Sequence, residues 1–288
     1  MSGKIILYPN VSRDIGFVMT NKVYGMLEKS GKSVVVCPVL DDDFDTPVSP
    51  SGFDSRDFES EVSDAEMVIT FGGDGTILHA AREAAEYGIP ILGVNMGGKG
   101  FMAELEVEEI DLINAAASGA YEIENRMMLD AEVVRENEIV YRDYALNDIV
   151  IRGYNRVIDL AIYGDGQIIS EFLGDGAVIA TPTGSTAYSM AAGGPIVEPS
   201  ARNIIVTPIC AHVLEAKSFV LVSDRQVSIG IGNEKHNPAY MSADGCDRVD
   251  LGNGDVVNVR KSQKYTRLVR LSNRSFYSKV SEKLEERL

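Results

Sequence analysis

The 288 residues of this chain are enough to bury a full hydrophobic core, and they predict two domains. The net charge of −16 argues against nucleic acid or an anionic membrane as a partner, because both would repel a chain that lacks a dense basic patch. Three dispersed cysteines exclude a disulfide framework and predict a reducing, cytoplasmic location. The sequence contains no uncharged apolar run of about 20 residues, so we expect no membrane span.

The first 125 residues alternate short apolar strands with helical patterns, which predicts an α/β domain with a parallel sheet and right-handed crossovers. In such sheets, ligands bind beyond the carboxyl ends of the strands. An acidic loop rich in Pro, Ser and Gly separates the second strand from the third, over 41–55. The predicted strands are 4–8, 33–37, 67–71 and 91–95, and the predicted helices are one that opens at Pro9, Asn10 and Ser12 and closes at Gly31, then 76–87 and 107–118.

After residue 125 the helical periodicity disappears. Short runs rich in Val, Ile and Tyr, punctuated by Gly, Asp and Asn, predict an antiparallel β-sandwich or a comparable all-β domain. The last residues, 275–288, predict a helix. We therefore expect an α/β domain at 1–125, a β-rich domain at 126–271, and a C-terminal helical segment at 272–288 that packs back on the N-terminal domain.

A glycine-rich turn between the third strand and the following helix contains the most informative residue, Asp74. Gly72, Gly73 and Gly75 allow backbone N–H groups to approach an anion, and the helix N-terminus adds a partial positive charge. A carboxylate there would repel a phosphate, unless it takes a proton from an attacking hydroxyl or holds a metal ion. The alternative interpretation is an ordinary strand-to-helix turn in which Asp74 is the N-cap.

Three further segments carry groups whose role the residues alone leave open. The segment 93–101 is either a flexible loop or a backbone surface for a flat or anionic ligand, with Phe101 available to stack. Asn147 and Asp148 interrupt an apolar strand, as a bulge or turn would, or as recognition of a sugar would require. The segment 174–188 is rich in hydroxyl groups and is either a plain loop or, through its Pro-Thr-Gly turn and its aromatic residue, a surface for a planar base.

In order and spacing these segments resemble the NAD kinase family. Gly-Gly-Asp-Gly is shared with diacylglycerol-, sphingosine- and phosphofructokinase-type enzymes, whereas Thr-Pro-Thr-Gly-Ser-Thr-Ala-Tyr is specific. The motifs that carry the resemblance are Gly-Gly-Asp-Gly-Thr (72–76), Asn-Met-Gly-Gly-Lys-Gly-Phe (95–101), Ala-Leu-Asn-Asp (145–148), Gly-Asp-Gly followed by Thr-Pro-Thr-Gly-Ser-Thr-Ala-Tyr (174–188), and Gly-Gly-Pro-Ile (193–196).

The resemblance implies Mg²⁺-dependent transfer of a phosphoryl group from ATP, or from polyphosphate, to the 2′-hydroxyl of the adenosine ribose of NAD, which gives NADP. Asp74 would accept the proton, NAD would bind largely against the β domain, and Mg²⁺ would arrive with the nucleotide, so no residue is assigned as a metal ligand. The implied donor-phosphate residues are Gly72, Gly73, Gly75, Thr76 and His79, where the family often has Arg or Lys in place of this histidine. The implied NAD-binding residues are Asp74, Gly75, Phe101, Asn147, Asp148, Arg156, Asp175, Thr183, Thr186, Ala187, Tyr188, Ser189, Met190 and Ala191.

Two other functions share part of this pattern. A lipid kinase of the diacylglycerol or sphingosine type has the same Gly-Gly-Asp-Gly, but it predicts an apolar acyl-chain cleft and attraction to membranes, which the acidic charge disfavours. A non-catalytic NAD(H) sensor would keep the binding motifs and use Asp74 only as an N-cap. By the same resemblance, we expect a homodimer or homotetramer.

Overall fold

The computed structural model describes residues 3–39, 55–97, 100–213, 216–232, 238–272 and 275–285. The chain forms two compact units. Unit 1 comprises Met1–Asn125 and Thr266–Leu288, and unit 2 comprises Arg126–Tyr265. The predicted acidic loop at 41–55 lies almost wholly outside the described residues, so its role stays open.

Unit 1 is built on a parallel sheet. Its strands are β1 (Lys4–Pro9), β2 (Ser33–Val36), β3 (Ala65–Gly72), β4 (Pro90–Asn95), the short β5 (Leu105–Glu106) beside β4, and the end of β17 (Val256–Arg270). The strand order is β17-β4-β3-β1-β2. Its helices are α1 (Val18–Lys29), α2 (Phe58–Glu61), α3 (Asp74–Tyr87), α4 (Ile113–Ala117) and α6 (Phe276–Glu285). The parallel α/β architecture predicted from the sequence is confirmed.

The central strands of unit 1 are apolar on both faces because helices cover both sides of a parallel sheet. All of β4 is buried, as is β3 apart from Glu66. Within its core, Leu7, Ile69 and Leu92 from adjacent strands pack with Val23 and Leu27 of α1. Consequently the polar and glycine residues that end β3 and β4 are gathered at the carboxyl edge of the sheet.

Two helices of unit 1 differ from the prediction. Helix α1 begins only at Val18, because Gly16 and Phe17 have positive φ angles of 68° and 55°. The buried Asp14 carboxylate binds the Thr20 N–H at 2.9 Å and so ties the preceding turn to the helix. The predicted helix at 107–118 is a 3-10 helix over Val107–Leu112 followed by the short α4.

Unit 2 consists of two antiparallel sheets, which confirms the predicted β-rich architecture. The elements are β6 (Glu122–Arg135), β7 (Glu138–Ala145), β8 (Asp148–Gly153), β9 (Ile158–Gly164), β10 (Gln167–Gly174), β11 (Gly176–Ala180), helix α5 (Tyr188–Ala191), β12 (Asn203–Ile209), β13 (Phe219–Val222), β14 (Val227–Ile231), β15 (Ala239–Ala243), β16 (Val249–Leu251) and β17. One sheet has the order β10-β9-β14-β17, with β6 and β7 paired beside β17, and the other has the order β13-β12-β11-β8-β15-β16. Ile151 and Ile179 of the second sheet pack with Ile162 and Ile229 of the first in one apolar core.

Candidate active site

The turn between β3 and α3 has open space above its backbone at two glycines, whereas a side chain packs directly against a third glycine. A Cβ atom added to Gly73 or Gly75 would meet nothing within 4 Å. At Gly72 the same atom would collide with the hydroxyl of Thr76, which is buried beneath the turn. The first N–H groups of α3 therefore begin at an open surface, which is the arrangement that binds phosphate at helix N-termini.

Asp74 is held by a different segment of unit 1. Its Oδ2 accepts the Phe101 N–H at 2.8 Å and its Oδ1 accepts the Met102 N–H at 3.1 Å. Any side chain at Gly100 would collide with this carboxylate. The N-cap interpretation is wrong, because Gly73 is the N-cap and Asp74 is the first helical residue. The carboxylate thus has one fixed orientation, and each oxygen keeps a lone pair for a proton.

His79 is exposed on α3, and one of its ring nitrogens pairs with a buried tyrosine. The Tyr8 hydroxyl lies 2.6 Å from Nδ1 of His79. Burial raises the pKa of Tyr8 far above its ordinary value, so the phenol keeps its proton. Because Nδ1 pairs with Tyr8, Nε2 is the ring nitrogen left for a ligand.

Arg13, a cation outside the predicted site residues, lies beside the glycine-rich segment 93–101. Its Nη1 is 3.6 Å from the position that a Cβ on Gly97 would take. The turn that carries it is fixed, because the N–H groups of Arg13 and Asp14 both donate to the Asn10 carbonyl, at 3.1 and 2.9 Å. Arg13 is exposed and forms no ion pair with the acidic residues that the structure describes. Arg13 could have been predicted as a site residue, because it follows the first strand of a parallel sheet and ligands bind beyond the carboxyl ends of such strands.

Unit 2 contains a cavity of about 330 Å³. It brings together four of the predicted NAD-binding residues, Asn147, Asp148, Ala187 and Tyr188. It is lined by these four and by Val150, Tyr240, Ser242, Asp244, Gly245, Cys246 and Arg248. The Arg248 guanidinium lies 4.7 Å from the centre of the Tyr240 ring, so the cavity has a cation and an aromatic face as well as two carboxyl groups.

Asp244, which belongs to none of the predicted site residues, holds the turn between β7 and β8. Its Oδ2 accepts the Leu146 N–H at 2.7 Å. Its Oδ1 accepts the N–H groups of Asn147 and Asp148 at 2.7 and 3.0 Å. Asp244 itself has a positive φ of 52° and precedes a glycine, a combination typical of a tight turn. Asn147 and Asp148 therefore lie where the chain turns between two strands, and recognition of a sugar by them stays a prediction.

The two carboxyl groups in this cavity differ in environment. Asp148 is only 5% exposed. Burial first, and the nearby Asp244 carboxylate second, raise the pKa of Asp148 to about 7. Asp244, by contrast, accepts three backbone N–H groups, which favour its charged form. Near neutral pH the cavity therefore contains one carboxylate and one carboxyl group that binds or releases a proton.

The hydroxyl-rich segment uses most of its hydroxyl groups to hold its own loop. Ser189 is fully buried and its hydroxyl lies 2.9 Å from that of Thr207. Thr183 is buried and accepts the Nη1 of Arg126 at 3.3 Å. The other hydroxyl contacts are Thr181 to the Leu146 carbonyl, Ser185 to the Pro182 and Val197 carbonyls, and Thr186 to the Thr183 carbonyl. Tyr188, at the start of α5, is the aromatic residue that this segment presents to the cavity.

Seven predicted NAD-binding residues of unit 2 lie outside the set that lines this cavity: Thr183, Thr186 and Ser189 of the hydroxyl-rich stretch, and Arg156, Asp175, Met190 and Ala191. Arg156 is exposed in the loop after β8, and Asp175 is half-buried between β10 and β11. In α5, Met190 is half-buried and Ala191 is exposed. In unit 1, the ring of Phe101 lies 6.4 Å from that of Phe276 on α6.

A fixed carboxylate at a glycine turn in an α/β unit, with a polar cavity in a separate β unit, is the organisation of a two-domain nucleotide-dependent kinase. The chain belongs to the NAD kinase family. A family model for the ATP-NAD kinase N-terminal domain matches residues 13–119, and one for the C-terminal domain matches residues 146–271. An NAD kinase of Ruminiclostridium cellulolyticum is 34% identical over 291 residues, which cover 99% of this chain and 98% of the relative. The chain is accordingly an enzyme of the kinase class.

Solved structures have the same fold. A yeast NADH kinase complexed with NADH superposes with a TM-score of 0.84 at 24% identity, covering 99% of this chain and 88% of the yeast chain. An NAD kinase from Archaeoglobus fulgidus in complex with ATP has a TM-score of 0.73 at 23% identity, with 98% of both chains covered. In the described part of this chain, no helix has the length and apolar character needed to cross a bilayer.

Proposed function

We propose that this chain transfers a phosphoryl group from ATP to the 2′-hydroxyl of the adenosine ribose of NAD, with Asp74 as the general base. The observation that carries the proposal is the Asp74 carboxylate, which two backbone N–H groups fix beside an open helix N-terminus. Membership of the NAD kinase family favours this activity over that of a lipid kinase or a non-catalytic sensor. Polyphosphate remains the second candidate donor.

On the donor side, the open N–H groups at Gly73 and Gly75 would bind phosphate oxygens, and Gly72 would keep the turn tight over Thr76. His79 would add a hydrogen bond from Nε2, and Arg13 would add a full positive charge. These groups would stabilise the charge that spreads over the transferred phosphoryl group. Asp74 would take the proton of the attacking hydroxyl.

On the acceptor side, Asn147 and Asp148 would bind the sugars and phosphates of NAD, and Tyr188 and Ala187 would lie against its adenosine. Thr183, Thr186 and Ser189 would act mainly by holding this surface in shape, since their hydroxyl groups have protein partners. Phe101 and Met190 would add apolar contact area. The resemblance further assigns Arg156, Asp175 and Ala191 to NAD.

Magnesium would reach the site bound to the phosphates of the nucleotide. The described residues contain no group of three or more His, Cys, Asp or Glu side chains placed to hold a metal ion. In proteins Mg²⁺ keeps several waters and relies on substrate phosphates with one or two carboxylates. When bound, the ion would neutralise part of the charge on the phosphates, and Asp74 is the carboxylate nearest to the glycine turn.

We also propose a cytoplasmic homo-oligomer. Cys37, Cys210 and Cys246 are free thiols, as a reducing compartment favours. On β13, the last strand of its sheet among the described residues, Val220 and Val222 are about half exposed and offer apolar area to a second copy. Light scattering of the purified protein would give the number of subunits.

The proposed reaction is tested by coupling it to a dehydrogenase that uses only NADP. Purified protein, NAD, ATP and Mg²⁺ are incubated with glucose-6-phosphate and that dehydrogenase, and NADPH is followed by absorbance. Asp74→Asn should lower turnover by about 10²–10⁴-fold with little change in NAD affinity. The exposed Asp111→Asn, also in unit 1, is the matched control. Full turnover by Asp74→Asn would refute the base assignment, and no turnover by the wild type with either donor would refute the reaction.

A further inference from the structure

The segment that fixes Asp74 is itself fixed by residues near the C-terminus of the chain. Arg270, the last residue of β17, donates from Nη1 to the Met102 carbonyl at 3.0 Å and to Oε2 of Glu104 at 3.2 Å. Its Nε donates to Glu124 at 2.6 Å. Lys279 of α6 donates to the Ala103 carbonyl at 2.8 Å. All of these residues belong to unit 1.

Glu104 closes this network from the other side. It is only 3% exposed, and its Oε1 accepts the Leu271 N–H at 2.9 Å and both the N–H and the hydroxyl of Ser272 at 2.8 Å. A buried carboxylate is tolerated only when its charge and lone pairs are satisfied, and Arg270 supplies the charge. The backbone from Met102 to Glu104 is thereby held on its carbonyl side, while the N–H groups of Phe101 and Met102 hold Asp74.

We propose that Arg270 is a positioning residue for the phosphoryl transfer. By binding the Met102 carbonyl and the Glu104 carboxylate, it keeps the 100–104 segment where the Phe101 and Met102 N–H groups orient the Asp74 carboxylate toward the acceptor hydroxyl. This inference rests on the proposed role of Asp74 as the base. A base that is misplaced by a fraction of an ångström loses rate rather than substrate affinity.

Arg270→Lys separates positioning from charge, because lysine keeps the positive charge but lacks the guanidinium fork that reaches three acceptors at once. Arg267→Lys is the matched control. Arg267 lies three residues earlier in β17. It donates to the Gly88 carbonyl at 2.7 Å, and Gly88 follows the end of α3 that is distant from Asp74. The coupled assay gives kcat and both KM values, and thermal unfolding gives Tm.

We expect Arg270→Lys to lower kcat by about tenfold, while both KM values change by less than about twofold. We expect Arg267→Lys to stay within about twofold of wild type in kcat and in both KM values. In the Asp74→Asn background, Arg270→Lys should lower kcat no further, because its effect acts through the missing carboxylate. If Arg270→Lys does not fold, Glu104→Gln replaces it and should give the same pattern.

An unchanged kcat in the folded variant, a rise of both KM values at constant kcat, or an equal further loss in the Asp74→Asn background would each overturn the proposal. Failure of the base assignment is distinguishable from these outcomes. In that case Asp74→Asn alone would retain full turnover.

Discussion

Asp148→Asn tests whether the cavity of unit 2 contains a carboxyl group that is half protonated near neutral pH. Asp148 is 5% exposed, and burial followed by the charge of Asp244 raises its pKa from the ordinary 3.8 to about 7. Asparagine has nearly the same shape and does not titrate. The variant therefore imitates the protonated side chain at every pH.

The direction in which the free energy of unfolding changes with pH depends on whether the folded or the unfolded chain binds the proton of Asp148. Between pH 3.8 and about 7 the folded protein keeps a proton on Asp148 that the unfolded chain has released. The folded state then binds more protons, so the free energy of unfolding falls as the pH rises, by up to about 1.4 kcal/mol per pH unit. Between about pH 5.5 and about pH 8 the loss from this one group is about 2 kcal/mol.

Urea unfolding of the ligand-free protein, followed by circular dichroism, measures this loss. Relative to wild type, Asp148→Asn should gain about 2 kcal/mol of unfolding free energy between about pH 5.5 and about pH 8. Asp247→Asn, an exposed change in the segment that follows Asp244, is the control and should show a pH-independent difference. A pH-independent difference for Asp148→Asn itself would refute the reasoning, as would a ¹³C NMR titration of the Asp148 carboxyl with its midpoint near that of an exposed aspartate.

Two further predictions concern the substrates. Tyr188→Ala should raise the KM for NAD by up to about tenfold and leave the KM for ATP nearly unchanged, because stacking between two aromatic rings contributes about 0.5–1.5 kcal/mol beyond the area it buries. Equal effects on both KM values would mean that the two substrates have been assigned to the wrong units. Arg13→Gln should raise the KM for ATP by about tenfold and leave the KM for NAD unchanged, because one charge-assisted hydrogen bond to phosphate is lost; a change no larger than that of the exposed control Lys22→Gln would remove Arg13 from the donor site.

Strands β1 to β4 of unit 1 could be predicted because each is a short apolar run, and Phe71 followed by Gly72 illustrates how such a run ends. The start of α1 could not. The apolar spacing from Ile15 onward is helical, but the Asp14 carboxylate reaches forward to Thr20 and leaves Gly16 and Phe17 in left-handed backbone conformations. A local pattern does not contain such a contact.

The same limit applies to the candidate site. Asp74 was conspicuous because a carboxylate among phosphate-binding glycines demands a chemical reason. Its hydrogen-bond donors at Phe101 and Met102, and Arg270 behind them, are distant in sequence and no spacing rule connects them. The role of Asp244 could not be predicted for the same reason, because the N–H groups that it binds lie nearly a hundred residues earlier in the sequence.

Two motifs of unit 2, Ala-Leu-Asn-Asp at 145–148 and the hydroxyl-rich segment at 174–188, are distant in the sequence but pack together as one structural element. The Thr181 N–H donates to the Asn147 carbonyl at 2.9 Å, and its hydroxyl donates to the Leu146 carbonyl at 2.6 Å. A side chain at Gly184 would collide with the Asn147 carbonyl, so the two backbones pack directly against each other. Asp244 holds the opposite side of the same turn through the N–H groups of Asn147 and Asp148, so the backbone that carries these two residues is fixed on both sides. It follows that a substitution in the hydroxyl-rich loop acts on the cavity by displacing this turn, even where its own hydroxyl never touches a ligand.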